Sequence, residues 1–138
     1  MIVNGEKELV GSDNANIKHA VDNAINETPL ITVHIKSDTI VDRKVQVHYT
    51  ISGNISHATL NAALVQYKTI TKINAGENGG ATLTDYNIVR QFFSTQARES
   101  GFFQLQIPVG LDEKDLSLAL FTQDDATQKI TGATKKGL

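Results

Sequence analysis

Apolar and polar residues alternate along most of this chain from residue 29 onward. The first 28 residues follow a different pattern, a short hairpin and a helical stripe. The alternation is clearest at Ile31, Val33 and Ile35, and it returns between Val45 and Ile51. A period of two is typical of strands that bury one face. The pattern predicts seven strands separated by turns, at about residues 31–36, 45–51, 59–73, 82–93, 102–107, 116–121 and 128–131.

Seven short strands with no helix between them favour a mainly β fold, an antiparallel immunoglobulin-like β-sandwich over residues 29–138. The polar segment 37–43 is predicted to turn between the first two strands. The fourth strand is the most ambiguous, because Tyr86, Val89 and Phe93 would also share one face of a helix. The predicted core residues are Val33, Ile35, Val47, Tyr49, Leu64, Leu105, Ile107, Leu118 and Leu120.

Residues 1–28 predict a separate β-β-α unit with one helix. A hairpin is expected from Ile2 to Val10, because the Asn4-Gly5 dipeptide suits a tight turn with two positive φ angles. Ser12 or Asp13 can cap the helix that follows, which ends before Pro29. Its apolar stripe consists of Ile17, Ala20, Val21, Ala24 and Ile25.

This stripe is too small to hold the helix by itself. The helix therefore needs a surface to pack against. We expect Val21 and Ile25 to pack against the sandwich or against another subunit. The candidate surfaces are the rest of the chain, a second copy, which would give a homo-oligomer through the N-terminal unit, or polypeptide outside the given sequence.

Composition removes several classes of function. Thirteen basic and 15 acidic residues in 138 give a net charge of -2, so no positive field is available for nucleic acid or an anionic membrane. No stretch approaches the roughly 18 apolar residues of a membrane-spanning helix. The chain has no cysteine, which excludes disulfides, thiol catalysis and thiolate metal sites from these residues.

His34 and His48 are the only candidate metal ligands that the strand pattern brings together. If Val33 faces Tyr49 on the neighbouring strand, the two imidazoles face each other at a Cβ distance of roughly 5 Å. A register shifted by two residues in either direction is equally open and would separate them. No acidic residue completes a ligand set at an obvious spacing. Exposed surface histidines are the favoured interpretation, and no cofactor is expected.

The glycine-rich segment 76–80 lacks the Gly-Lys-Ser/Thr sequence of a phosphate-binding loop. It predicts a hairpin loop with positive φ at Asn78, Gly79 and Gly80. The acidic residues at 112–115 and 124–125 are predicted to be solvated turn residues. An alternative interpretation makes the 76–80 loop and the strand after it a recognition surface, formed by Glu77, Asn78, Asp85, Asn87 and Arg90.

Three stretches carry a resemblance to a known family. They are MIVNGEKELVGSDNANIKHAVDNAI at the start, GENGGATLTDYNIVR in the middle and LFTQDDATQKITGA near the end. The chain resembles an uncharacterised family of exported bacterial proteins, in which a thioredoxin-like domain precedes a β-sandwich. The resemblance implies that residues 1–28 close a thioredoxin-like domain, with a signal peptide and a cysteine motif upstream. It also implies a periplasmic or secreted location.

The favoured function is a non-catalytic binding or structural module with a protein partner, since no enzyme signature or nucleophile-base arrangement is present. The first alternative is a fragment of an envelope thiol-disulfide redox protein whose cysteine motif lies upstream. The second alternative is a hydrolase with an unrecognised site. The resemblance brings no biochemical role that would decide among them.

Overall fold

The computed structural model describes residues 1–138, with nine strands, one α-helix and a short 3-10 helix at Glu113–Asp115. No helix is both long and apolar enough to cross a membrane. All seven strands predicted after residue 28 are present, including the ambiguous fourth. The elements are β1 Ile2–Val3, β2 Lys7–Glu8, α1 Asn14–Asn26, β3 Thr32–Val41, β4 Lys44–Ser52, β5 Ala58–Lys72, β6 Thr82–Gln96, β7 Ser100–Gln106, β8 Leu116–Asp124 and β9 Ile130–Gly137.

The strands form three antiparallel sheets. The β1-β2 hairpin stands alone, a three-stranded sheet has the order β3-β4-β7, and a four-stranded sheet has the order β6-β5-β8-β9. One core cluster of 17 buried residues draws on both larger sheets, with Val47 from β4 and Leu118 from β8 both fully buried. Eight of the nine predicted core residues are buried, and Ile35 is half-buried against the same cluster.

Two strands extend furthest beyond their predicted ends. Strand β3 continues through the predicted turn to Val41, because Asp42 and Arg43 both adopt positive φ and reverse the chain in two residues. A bulge at Lys36 interrupts the ladder between β3 and β4, and Ile40 beyond it packs on the core. The last strand runs from Ile130 to Gly137 instead of ending at residue 131, since it pairs with nearly the whole of β8 despite its polar sequence.

The N-terminal segment forms a hairpin followed by a helix. Asn4 and Gly5 have φ of 50° and 77°, and the Glu6 amide donates to the Val3 carbonyl at 3.2 Å, which confirms the predicted turn. The returning strand is Lys7–Glu8 and not Leu9-Val10 as the apolar pattern predicted, since Val3 pairs with Lys7 and Ile2 with Glu8. The side chain of Asp13 caps α1 by accepting from the Asn16 amide.

The apolar stripe of α1 is only partly covered. Ala20 is buried and Ala24 is half-buried, whereas Val21 is 36% and Ile25 75% exposed. No residue before Ile31 belongs to the core cluster. The expectation that Val21 and Ile25 pack against the larger sheets was therefore wrong, and the alternative of packing against another subunit stays a prediction.

The N-terminal unit is joined to the start of β9 by polar contacts. The Ile130 amide donates to the Asn4 carbonyl at 2.9 Å, and Lys129 Nζ lies 2.9 Å from a Glu6 carboxylate oxygen and 3.4 Å from one of Glu27. The hydrogen bond that Lys129 donates to Glu6 and the charge of Glu27 raise the pKa of Lys129. A Cβ atom at Gly5 would lie 2.1 Å from the Gln128 carbonyl oxygen, so only glycine allows this approach.

We predict that Leu118→Ala lowers the free energy of unfolding by about 2–5 kcal/mol, because it opens a cavity in a fully buried position. Urea denaturation of both proteins measures the difference. The matched control is Val109→Ala in the loop after β7, where the side chain is 95% exposed, and its effect should stay within about 0.5 kcal/mol. Equal losses in the two variants would contradict the assigned core.

We predict that Lys129→Gln loosens the N-terminal unit, since it removes the cation shared by Glu6 and Glu27. Hydrogen-deuterium exchange should accelerate in residues 1–28 and stay unchanged in β5 and β8. Lys114→Gln is the control, because its ion pair with Asp112 lies within one turn. Similar acceleration of residues 1–28 in both variants would show that Lys129 does not hold the unit.

Candidate functional site

The β5–β6 hairpin extends beyond the body of its sheet. Strand β5 pairs with β6 from Thr59 to Lys72, whereas β8 accompanies it only from Ala58 to Gln66. Past the pair formed by Gln66 and Ile88, the two strands continue as a two-stranded ribbon. We call residues 67–87 the arm. Six residues per strand give the paired part of the arm a length of about 20 Å.

Large apolar side chains are exposed along the arm and at its base. Each is between 47% and 64% exposed: Tyr67, Ile70, Leu83, Tyr86, Val89 and Phe92. The Tyr67 and Tyr86 rings pack edge to face with centroids 5.9 Å apart, and Phe92 lies 6.4 Å from Phe121 of β8. Exposed apolar clusters such as these two ring pairs are found at contact sites on soluble proteins.

Two irregularities shape β6 at the base of the arm. Asn87 has a φ of 54°, a left-handed conformation that is rare within a strand. Arg90 is the extra residue of a bulge, because Val89 pairs with Val65 and Gln91 with Leu64. Both bulges and left-handed residues change the direction and twist of a strand locally.

The bulge also positions the Arg90 side chain. Its guanidinium donates to Gln66 Oε1 twice, from Nε at 2.8 Å and from one terminal nitrogen at 2.6 Å. No carboxylate lies within ion-pair distance of it. The charge of Arg90 is therefore held in place by a neutral partner.

The predicted recognition residues all lie on this hairpin. Glu77 and Asn78 are exposed in the loop at its tip, and Asp85 faces Thr69 on the arm. The positive φ angles of the loop belong to Gly76 and Gly80, so the predicted positive φ was wrong for Asn78 and Gly79 and right for Gly80. The five predicted recognition residues therefore share one hairpin, and their role as a recognition surface stays a prediction.

The two candidate metal ligands do not face each other. Strand β3 is displaced by two residues from the expected register, so His34 faces Thr50, and the bulge at Lys36 then puts Ser37 opposite His48. The cross-strand histidine pair is therefore not formed, and both imidazoles are exposed, as the favoured interpretation predicted. The His48 ring instead lies 4.9 Å from that of Phe102. No group of three or more His, Asp or Glu side chains is arranged to hold a metal ion.

The acidic turn residues have structural partners. Asp124 Oδ1 accepts from the backbone amide and the hydroxyl of Thr127, both at 2.8 Å, and from the Ala126 amide at 3.1 Å. These hydrogen bonds stabilise the carboxylate and lower the pKa of Asp124. Asp125 accepts from Thr59 at 2.7 Å. The Asp124 carboxylate therefore closes the β8–β9 turn on itself, and the Asp125 carboxylate joins this turn to β5.

The sequence interpretation missed the exposed apolar residues of the arm, including Tyr67 and Leu83. A signal was present in the strand lengths, since the two predicted strands at 59–73 and 82–93 are longer than any other predicted strand. It also missed an open cleft of about 310 Å³ between the N-terminal unit and β9, lined in part by Glu27, Leu30 and Lys129. None of the predicted recognition residues lines this cleft.

No curated protein matches the chain. Among solved structures it is similar to a β-glucosidase from Kluyveromyces marxianus in complex with glucose, with 8% identity over 80% of this chain and 14% of that chain. The TM-score is 0.31, which is too low to support an argument about fold or activity. The model of a family described as "Protein of unknown function (DUF1223)" matches residues 1–123, and the chain therefore belongs to this uncharacterised family.

Proposed function

We propose that this chain is a non-catalytic binding module of an exported bacterial protein, and that the arm and the adjoining part of β6 form its contact surface for a protein partner. One observation carries the proposal. The arm exposes Tyr67, Tyr86 and Leu83 on a ribbon that takes no part in the core. Apolar side chains with no folding role are costly to expose, and a binding role accounts for them.

We interpret the two larger sheets as an immunoglobulin-like β-sandwich that serves as the rigid base of the arm. The interpretation is supported by the core that they share and by the stacking of Phe93 on Phe103, whose rings lie 5.0 Å apart between β6 and β7. Rigid sheets that display loops and hairpins are a common design for recognition. The fold alone does not specify a partner.

We interpret residues 1–28 as a separate unit of thioredoxin-like β-β-α type, and residues 29–138 as the sandwich domain. The core cluster contains no residue before Ile31, and the join at Asn4, Lys129 and Ile130 is polar. These features support a division into two units. The thioredoxin-like character and the export of the protein rest on the resemblance of the sequence.

We predict that Val89→Ser weakens capture of a protein partner from bacterial envelope extract at least severalfold, because it removes an exposed apolar contact beside the arm. Val109→Ser is the matched control, since it makes the same change at an exposed valine in the loop after β7. Arg90→Ala and Asn87→Ala should also weaken capture. Immobilised protein, quantitative mass spectrometry and thermal denaturation of each variant provide the measurement.

Two results would contradict the proposed function. Equal capture by Val89→Ser and Val109→Ser, with both variants folded, would remove the arm as the contact surface. Substrate turnover by the isolated chain would show that the module is catalytic.

A further inference from the structure

We propose that the free edge of β5 in the arm, at residues 67–72, binds an extended acidic segment of the protein partner as an additional strand. This inference rests on the proposed function, since the edge belongs to the same arm. It names the conformation of the bound segment, its place in the sheet and the charges that it carries.

Residues 67–72 of β5 have a neighbouring strand on one side only. They lie in the part of β5 that pairs with β6, whereas the pairing of β5 with β8 ends at Gln66 and Leu116. No backbone hydrogen bond from a turn or loop reaches this segment. Alternate residues of a strand direct their N–H and C=O groups to the same edge, so about three residues present unpaired groups here. Such an edge can pair with a further strand.

The space beside this edge is open. A cleft of about 470 Å³ is lined by β5 from Gln66 to Ile70 and by Asp115 of the 3-10 helix. No residue of β6 lines the cleft, so it lies on the side of β5 that faces away from β6. Strand β8 begins at Leu116, directly after Asp115. A strand added beside residues 67–72 would therefore continue the position that β8 occupies in the sheet.

The two faces of the arm differ in charge. Residues directly opposite each other in an antiparallel pair lie on the same face. One face contains two lysines and no acidic residue, in the pairs Lys68 with Tyr86, Ile70 with Thr84, and Lys72 with Thr82. We call these three pairs the lysine face. Asp85 lies on the opposite face, where it pairs with Thr69.

Both lysines of the lysine face are accessible. The side chains of Lys68 and Lys72 are exposed, and neither lies within ion-pair distance of a carboxylate. Lys68 Nζ lies 5.7 Å from the centre of the Tyr86 ring, a cation–π contact that keeps the ammonium group on this face. Ile70 lies between the two lysines and is 59% exposed. The edge strand therefore presents a cation, an apolar residue and a cation at alternate positions.

This order determines which side chains suit the added strand. The residues opposite Lys68, Ile70 and Lys72 would lie on the lysine face, whether the added strand runs antiparallel or parallel to β5. An acidic residue, an apolar residue and an acidic residue at alternate positions would form two ion pairs and an apolar contact. Main-chain hydrogen bonds supply affinity in this mode of binding, and the alternate side chains supply specificity.

The same lysines disfavour a second copy of the chain as the occupant. Two copies that paired this edge about Ile70 would bring Lys68 of one copy directly opposite Lys72 of the other. Like charges at directly opposite positions destabilise a strand pair, and lysines on edge strands oppose self-association. The charges on this edge therefore favour an acidic strand over an identical one.

The test uses two synthetic heptapeptides as probes. The acidic probe is Thr-Glu-Thr-Val-Thr-Glu-Thr, and the basic probe has lysine in place of both glutamates. Each carries fluorescein, and fluorescence anisotropy measures its binding to the full chain. We expect the chain to bind the acidic probe about tenfold more tightly than the basic one. Added salt should reduce this difference, because it screens the exposed charges.

A charge reversal identifies the residues that bind the probe. The double variant Lys68→Glu, Lys72→Glu should lose the acidic probe and bind the basic one, because its charges are reversed. The matched control Lys7→Glu, Lys44→Glu makes the same change in net charge at two exposed lysines outside the arm, and it should keep the wild-type preference. If thermal denaturation shows that the charge reversal unfolds the chain, Lys68→Gln, Lys72→Gln replaces it and should bind both probes equally.

N-methylation of the acidic probe tests whether the probe binds as a strand. Successive residues of a strand direct their amides to opposite edges. Methylating both glutamates therefore blocks one edge of the probe, and methylating the two inner threonines blocks the other. One methylated probe should keep its affinity, and the other should lose it about tenfold. Equal affinity of the two methylated probes would overturn strand addition.

Hydrogen-deuterium exchange locates the bound acidic probe, which should protect residues 67–72. Three outcomes would overturn the inference. They are equal affinity of the wild-type chain for the two probes, an unchanged preference in Lys68→Glu, Lys72→Glu, and protection of residues 88–96 without residues 67–72. Self-association of the wild-type chain in sedimentation velocity, with protection of residues 67–72 in the absence of probe, would make a second copy the occupant and would also overturn it.

The inference and the proposed function fail separately. If Val89→Ser loses partner capture while Lys68→Glu, Lys72→Glu retains it, the partner binds without the edge of β5, and only the inference fails. Equal capture by Val89→Ser and Val109→Ser contradicts the proposed function, whatever the probes show.

Discussion

The structure depends on the different lengths over which β6 and β8 pair with strand β5. Its first nine residues lie between β6 and β8, where their hydrogen bonds are satisfied on both sides and Leu60 and Leu64 are buried completely. Strand β8 ends its pairing at Gln66, but β5 and β6 continue. The core and the arm are therefore parts of the same two strands, and the position of the arm is set by the central strand of the sheet.

Much of this fold could be predicted from the sequence, because one buried face imposes a period of two. That period located all seven strands of the larger sheets, and it identified buried residues such as Val47 and Leu118. The Asn4-Gly5 turn was predictable for a different reason, since few dipeptides adopt two positive φ angles readily.

Register was the main feature that the pattern left open. Alternation specifies which face a residue occupies, but a shift of two residues preserves the face and changes every partner. For this reason the alternative in which His34 faces His48 is not what the structure shows. The bulges at Lys36 and Arg90 were equally unpredictable, because their causes lie in packing against other strands. The length of the arm beyond the sheet depends on where β8 stops pairing with β5. That position is a property of the assembled sheet and could not be predicted from the sequence pattern.

The contact at Gly5 has a consequence for the relation between the two units. Side-chain contacts such as those of Lys129 determine how firmly the hairpin is attached, and they can be exchanged or lost. The closeness of Gly5 to the Gln128 carbonyl is different, because main chain meets main chain with no side chain between them. Substitutions of surface side chains can therefore change how strongly the N-terminal hairpin is attached to the start of β9. The orientation of the hairpin depends on the path of the backbone.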